Sequence, residues 1–332
     1  MHQHQITIVT FFPAEVEVPD SLTLYNGDGT LPGFARTLRA ALQAGDYDLI
    51  HAHYAHVGSM FILLNFLSLP RYRCKLVYTV HTSYPNLKLR NRLMTWIVFL
   101  FFRRIIFCSH ASYQSFPPLV KRLVGRRGYV VQNGVDMARI DRILAAVPPP
   151  PPSRPLTVLA IGRLIPLKQP LKILEAFAQS FPDNGRLIFI GQGGLETALR
   201  ERIEAQGLSD RVTLTGPIPR DEVYRYLKEA DIFISASTVE GLPVAVIEAM
   251  TARCPVILSD IPPHRVIANG AGFIPLLAPE DIKGFAQALT RFAQLSAEAR
   301  TEIGEQCRAI VQQHFSLEQM HAQYDQIFAS LV

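Results

Sequence analysis

The stretch Ser235-Ala-Ser-Thr-Val-Glu-Gly-Leu-Pro-Val-Ala-Val-Ile-Glu-Ala-Met-Thr-Ala-Arg-Cys-Pro-Val-Ile-Leu-Ser-Asp260 decides the fold. Just before it, Ile232-Phe-Ile234 is a short apolar run that suits a buried strand. Glu240-Gly241 reads as a turn. Pro243 suits a first helical position, where its fixed φ helps and its missing N–H costs nothing. Residues 244–252 read as a helix and 255–258 as the next buried strand. A helix that starts at a strand's carboxyl end points free N–H groups into the crevice there, a ready place for an anion. Glu240 stands at the mouth and Glu248 inside the helix. Either alone reads as an ordinary loop or helix glutamate. Together they fit a ligand running from one polyhydroxyl group through phosphate to another, since carboxylates accept from hydroxyls and the helix end takes the phosphate charge.

Outward from this frame the second half repeats strand and helix. Strands are predicted over 156–161, 186–190, 212–215, 232–235, 256–259 and 272–275, with helices between, which gives a doubly wound parallel sheet. Arg163 and Lys168 follow the first of these strands. A guanidinium and an ammonium there can balance two phosphates; a pair of surface cations is the other reading, and Gly162, ending the strand, argues against it. Gly191-Gln-Gly-Gly194 and Thr215-Gly216-Pro217 are turns that say little alone. The prolines of 148–152 predict a stiff spacer between two lobes. In the first half, strands are predicted over 5–11, 48–54, 75–80, 105–109 and from 129, and His81 follows the third, at the edge where open sheets bind ligands. His51 and His53 share one side of their strand, but a metal would need a further ligand.

Glu240-x7-Glu248 within EGLPVAVIEAM, followed by PVILSD, resembles the signature of the retaining glycosyltransferases of family 4, enzymes of the GT-B fold that use nucleotide-diphosphate sugars. The resemblance extends to Ile161-Gly-Arg-Leu-Ile-Pro-Leu-Lys168, to Asn133-Gly134-Val135-Asp136, to the HAH of residues 51–53 and to His81. It implies an α/β protein of two Rossmann-like lobes facing a cleft: an acceptor-side domain over 1–147, a proline-rich linker over 148–155, a donor-binding domain over 156–313, and a helix over 314–332 returning to the first domain. It implies Arg163 and Lys168 on the diphosphate and Glu248 on the ribose. Glu240 falls on the sugar and His81 on the sugar and acceptor side. The backbone turns at Gly191, Gly193, Gly216, Leu242 and Pro243 fall near the nucleotide. A UDP- or GDP-sugar donor, a glycan or lipid-linked acceptor, hexose transfer with retention, no metal, no cofactor and no nucleic acid go with it. Two other readings stay open: a donor-binding partner that lost turnover, and an epimerase of the same fold. Against the family, the start is atypical. Gly27-x-Gly29 does not read as a helix-opening phosphate loop, and the first strand, loop and helix are expected to be missing.

Composition sets the bounds. The 332 residues suffice for two domains, and 48% hydrophobic with 18% charged residues says globular. Four scattered cysteines without a secretory signal predict reduced, buried thiols and a cytoplasmic protein. The net charge of +5 is uneven: no Asp or Glu lies between Asp48 and Asp136, a segment with twelve Lys and Arg. That points to an anionic surface or substrate, and to a peripheral place on the inner face of the cytoplasmic membrane. Residues 87–104 carry a ten-residue apolar run, 93–102, between basic flanks. It is too short to span a bilayer, and both a core helix and a helix dipping into the membrane interface, with Trp96 at the boundary, fit it.

Overall fold

A computed structural model describes residues 5–14, 19, 21–151, 153–180 and 184–331. The second lobe is a parallel sheet of β7 (Thr157–Ile161), β8 (Arg186–Ile190), β9 (Val212–Leu214), β10 (Ile232–Ser235), β11 (Val256–Ser259) and β12 (Leu276–Leu277). Their order across the sheet is β12-β11-β10-β7-β8-β9. Residues such as Leu159 and Ile257 are wholly buried because helices cover both faces. The chain winds one way from β7 to β9 and the other way from β10 to β12. The order therefore reverses between β7 and β10, and a crevice opens beyond their carboxyl ends. The stretch predicted as a strand over 272–275 is a turn, and the strand begins at Leu276.

The first lobe holds a parallel four-stranded sheet: β3 (Ile50–Ala52), β4 (Leu76–Val80), β5 (Arg104–Phe107) and β6 (Gly128–Val130), in that order. Beside it, β1 (Ile6–Val9) and β2 (Leu22–Tyr25) form a separate parallel pair. The helix Leu31–Ala44 follows Gly27-Asp-Gly29 and is capped by the Thr30 hydroxyl, and no residue of that turn lines the cavity between the lobes described below. Gly27 is needed for close approach: a Cβ there would lie 2.4 Å from the carbonyl oxygens of Thr10 and Phe11.

The boundary between lobes differs from the one expected. The helix Met137–Ala146 packs in the second lobe's core through Ile140 and Leu144, and Lys228 Nζ donates to the Leu144 carbonyl. Arg154 then holds Asp231 with two bonds, of 2.6 and 3.0 Å. Residues 147–151 therefore follow a helix of the second lobe and do not separate the lobes, the predicted run's Pro152 lies outside the described residues, and the first lobe ends before residue 147. The chain crosses at Val135 and returns at Ser316. Val135 N donates to the Phe315 carbonyl (2.9 Å) and Leu317 N to the Val135 carbonyl (3.1 Å). Gly134 permits this, since a Cβ there would sit 2.2 Å from the Ser316 oxygen. The last helix, Leu317–Ala329, lies on the first lobe's sheet, with Ile327 buried beside Val77, Ile106 and Val131. Of the cysteines, Cys108, Cys254 and Cys307 are buried, but Cys74 is exposed, against expectation, because it sits in a short 3-10 turn ahead of β4.

Candidate functional site

A cavity of about 480 Å³ occupies the crevice at the β7/β10 reversal. Arg163, Lys168, Glu240 and Pro243 line it from the second lobe, and Thr82 and Asn86 from the first. Leu242 and the first residues of the helix Val244–Thr251 complete the wall, and Pro243 sits at the cap position of that helix.

The two cations ride on a loop that glycines hold in shape. Gly162 takes φ +151°, which favours glycine, and its N–H donates to the Ile190 carbonyl (2.9 Å). A Cβ on Gly191 would lie 2.2 Å from the Gly162 oxygen, and one on Gly193 2.4 Å from the Leu164 oxygen. Gly191 N in turn donates to the Gly216 carbonyl (3.0 Å). Gly191, Gly193 and Gly216 thus clamp the Arg163 loop backbone to backbone, and none of them lines the cavity. The Arg163 side chain is exposed on the cavity wall and has no hydrogen-bond or ion-pair partner among the described residues.

Glu240 is buried and already paired. Its Oε1 accepts from Lys168 Nζ and from Ser237 Oγ (2.7 Å). Thr238 N donates to the Leu167 carbonyl (2.9 Å), which ties the loop after β10 to the turn carrying Lys168. Beneath, Ser259 Oγ donates to the Ser237 carbonyl (2.6 Å), and His264 Nδ1 lies 2.8 Å from the Ser259 carbonyl. His264 is wholly buried, and burial pulls its imidazole down to about 4. Glu248 is also buried but does not line the cavity. Its Oε1 accepts from Arg220, by way of two nitrogens, and from the Tyr224 hydroxyl (2.9 Å). Burial and the Glu248 charge raise the Tyr224 phenol above its usual range.

The first lobe reaches this site with hydroxyls and imidazoles. Ser83 Oγ donates to the Glu240 carbonyl (2.6 Å) and Ser109 Oγ to the Gly241 carbonyl (3.1 Å). A Cβ on Gly241 would stand 3.0 Å from the His81 carbonyl oxygen, so glycine lets the lobes close there. His81 lies beside the cavity, next to Thr82, rather than on its wall. Its Nε2 is 2.9 Å from His53 Nδ1. The His51 ring lies 4.1 Å from that of His53 between centroids, tilted by 35°, and bonds Thr79 Oγ1 (2.8 Å), which is 3.2 Å from the Tyr324 hydroxyl of the returning helix. Burial and the neighbouring imidazoles hold His51 down to about 3 and His81 to about 4. Among the described residues no group of three His, Cys, Asp or Glu side chains can hold a metal ion.

The structure thus brings Arg163, Lys168, Glu240, Leu242 and Pro243 to one cavity. It sets Glu248 and His81 at its margins and the three turn glycines behind it. Sequence reasoning missed Arg220, Tyr224, His264 and Ser83. Arg220 and Tyr224, four apart on one helix, carried a faint helical signal, but nothing local linked them to Glu248.

Two family profiles cover the chain: Glycosyl transferases group 1 over residues 144–309 and Glycosyltransferase Family 4 over residues 2–139. The amylovoran biosynthesis glycosyltransferase AmsK of Erwinia amylovora is 36% identical over 156 residues, which is 44% of this chain and 38% of AmsK. The GDP-mannose:cellobiosyl-diphosphopolyprenol alpha-mannosyltransferase of Komagataeibacter xylinus is 25% identical over 305 residues, 88% of this chain and 72% of that enzyme. The chain spans about half the length of several curated relatives it matches. Among solved structures, sucrose-phosphate synthase from Thermosynechococcus elongatus superposes with a TM-score of 0.78 at 20% identity, over 98% of this chain and 89% of that one. Anabaena HepE, in complex with UDP and glucose, gives 0.75 at 21% identity, over 93% and 86%. At such identities the likeness shows the fold, the two-lobed GT-B arrangement.

Proposed function

Because the chain belongs to the glycosyl transferases of group 1, we propose that it moves a hexose from a nucleotide-diphosphate sugar to a glycan or lipid-linked acceptor, with retention, in building a cell-surface polysaccharide or glycolipid. One observation carries this reading. At the topological switch point an exposed guanidinium, a lysine and a buried carboxylate surround one cavity that both lobes line. Arg163 and Lys168 would take the diphosphate and stabilise the charge that grows on the leaving group as the sugar bond breaks. Lys168 then shares itself between Glu240 and phosphate, and Glu240 turns its free oxygen to sugar hydroxyls. With protein cations on the diphosphate, the reaction asks for no metal. Glu248, steadied by Arg220 and Tyr224, stands deeper and takes the ribose. His81, neutral at physiological pH, would face the sugar and acceptor as a hydrogen-bonding group and not as a charge.

A relative that acts on a diphosphopolyprenol-linked sugar supports a lipid-linked acceptor, and a fold neighbour that holds UDP and glucose supports a nucleotide-sugar donor. The test is transfer by the full chain from a panel of UDP- and GDP-sugars, with the product's anomeric configuration read by NMR. A product of the donor's own configuration, lost in Arg163→Ala, is the expected result. Inversion would overturn the retaining mechanism. Donor binding without transfer to any polyprenol-linked or glycan acceptor would replace the enzyme with a donor-binding partner.

A further inference from the structure

The apolar run of residues 93–102, open to two readings in the sequence, is largely core. Val98, Phe99 and Phe102 are wholly buried, and Trp96 packs on the same cluster. What the helix Leu89–Phe101 leaves outside is a different set, Leu89, Leu93 and Leu100, 82%, 66% and 54% exposed. Spaced by four and seven, they form one stripe. Beside this helix lies another, Ala55–Leu64. A Cβ on its Gly58 would already be 3.0 Å from Val98, and its Ser59 donates to the Met94 carbonyl (3.2 Å). At and beyond its end stand Leu63, Phe66 and Leu67, 69%, 63% and 95% exposed. Two helices packed on each other, with the turn after the first, therefore leave six large apolar side chains outside, where an ordinary exterior scatters them singly.

The charges around it decide what covers it. The twelve cations between Asp48 and Asp136 have no acid among them. Only Arg71 finds an ion-pair partner among the described residues, Asp46. Some of the others hold carbonyls or rings, as Lys75 does on Tyr47 and Arg92 on Leu87 and the Tyr84 ring. Lys88 and Arg90, at the start of the leucine stripe, Arg103, just past the end of the helix Leu89–Phe101, and Arg73, in the 3-10 turn ahead of β4, have no side-chain partner among the described residues. A second copy would bring the same cations face to face and repel. An anionic lipid surface supplies apolar depth for the leucines and phosphates for the cations at once.

We propose that this face, formed by Leu63, Phe66, Leu67, Leu89, Leu93 and Leu100 and rimmed by Lys88 and Arg90, seats the protein on an anionic bilayer. It extends the reading of a lipid-linked acceptor but stands apart from it, because its test needs no turnover. The test is co-sedimentation of the full chain with vesicles of phosphatidylcholine, alone or mixed with phosphatidylglycerol, over a salt series. Wild type is expected to bind the mixed vesicles, with affinity falling as salt rises. Leu89→Ser/Leu93→Ser/Leu100→Ser, checked for native circular dichroism, is expected to lose about tenfold or more in partitioning. Lys88→Ala/Arg90→Ala is expected to lose several-fold on mixed vesicles only. Wild-type binding that ignores phosphatidylglycerol, or equal binding by the leucine variant, overturns the proposal. So does a concentration-dependent dimer abolished by the leucine variant with no vesicle binding, which would give the face to a second copy.

Discussion

The two lobes meet at one cleft with opposite chemistry. The second brings buried charge, Glu240 on Lys168 and Glu248 on Arg220, with the exposed Arg163 at the wall. The first brings hydroxyls and imidazoles held neutral, and places Lys88, Arg90 and Arg103, which have no side-chain partner among the described residues, on exposed positions of an outer helix and its ends. The contrast teaches that charge is concentrated where a diphosphate would be gripped. On the facing wall, where an uncharged hydroxyl would have to approach, the described lining residues Thr82 and Asn86 carry no formal charge to compete for the phosphate. A low-dielectric site gains most from a few fixed charges and loses from stray ones.

The sharpest way to break this contrast is Lys168→Ala. It should cut kcat for transfer by about 10²–10³-fold and lower the unfolding midpoint, because Glu240 stays buried without its cation. Adding Glu240→Gln should restore the midpoint and leave transfer lost. Steady-state kinetics within about tenfold of wild type would remove Lys168 from the charge-bearing wall. Next comes the clamp behind the cations. Gly191→Ala puts a methyl 2.2 Å from the Gly162 oxygen at φ +131°. It should cost about 2–4 kcal/mol in urea unfolding, against about 1 kcal/mol for Gly216→Ala, where φ is unusual but the space is open.

The neutral imidazoles give a pH signature of similar or smaller size. Unfolded, His264 and His51 titrate near 6.5. Folded, they titrate near 4 and 3. Between those values the unfolded chain binds protons that the fold refuses. Stability is therefore full above about pH 6.5 and falls as pH drops toward the folded values, by up to about 3 kcal/mol for wholly buried His264. Urea midpoints should fall between about pH 7 and pH 5, and His264→Asn should flatten the slope. A midpoint that rises on acidification would contradict imidazoles held neutral in either lobe, His264 in the second and His51 in the first. The smallest effect is expected from Arg220→Ala: a donor KM raised about tenfold with kcat kept, because Arg220 steadies Glu248 and does not line the cavity.

Much of this was legible before any coordinates. The apolar runs bracketing Glu240 and the helix start at Val244 located the second sheet, and the spacing of Arg163 and Lys168 located the cations on one strand end. The rest was hidden for physical reasons. Arg220 meets Glu248 across 28 residues, and no periodicity links them. The helix Met137–Ala146 has the same amphipathic pattern whichever lobe it joins, so only its contact with Lys228 and Tyr224 shows where the boundary falls. Gly191 and Gly193 read as ligand turns, yet their carbonyl contacts lie with Gly162 and Leu164, in a loop that precedes them by a whole strand and helix. The apolar run 93–102 announced a helix, but whether its leucines face out depends on which residues the neighbouring helix covers.

The most direct measurement is isothermal titration of UDP and of GDP into the full chain and into Arg163→Ala. The Arg163 side chain is exposed and has no hydrogen-bond or ion-pair partner among the described residues, so its removal should leave the fold and its thermal midpoint unchanged. The account predicts that the chain binds one of the two nucleotides and that the variant binds it about tenfold or more weakly. Equal affinity in a folded variant, or heat from neither nucleotide, would contradict it.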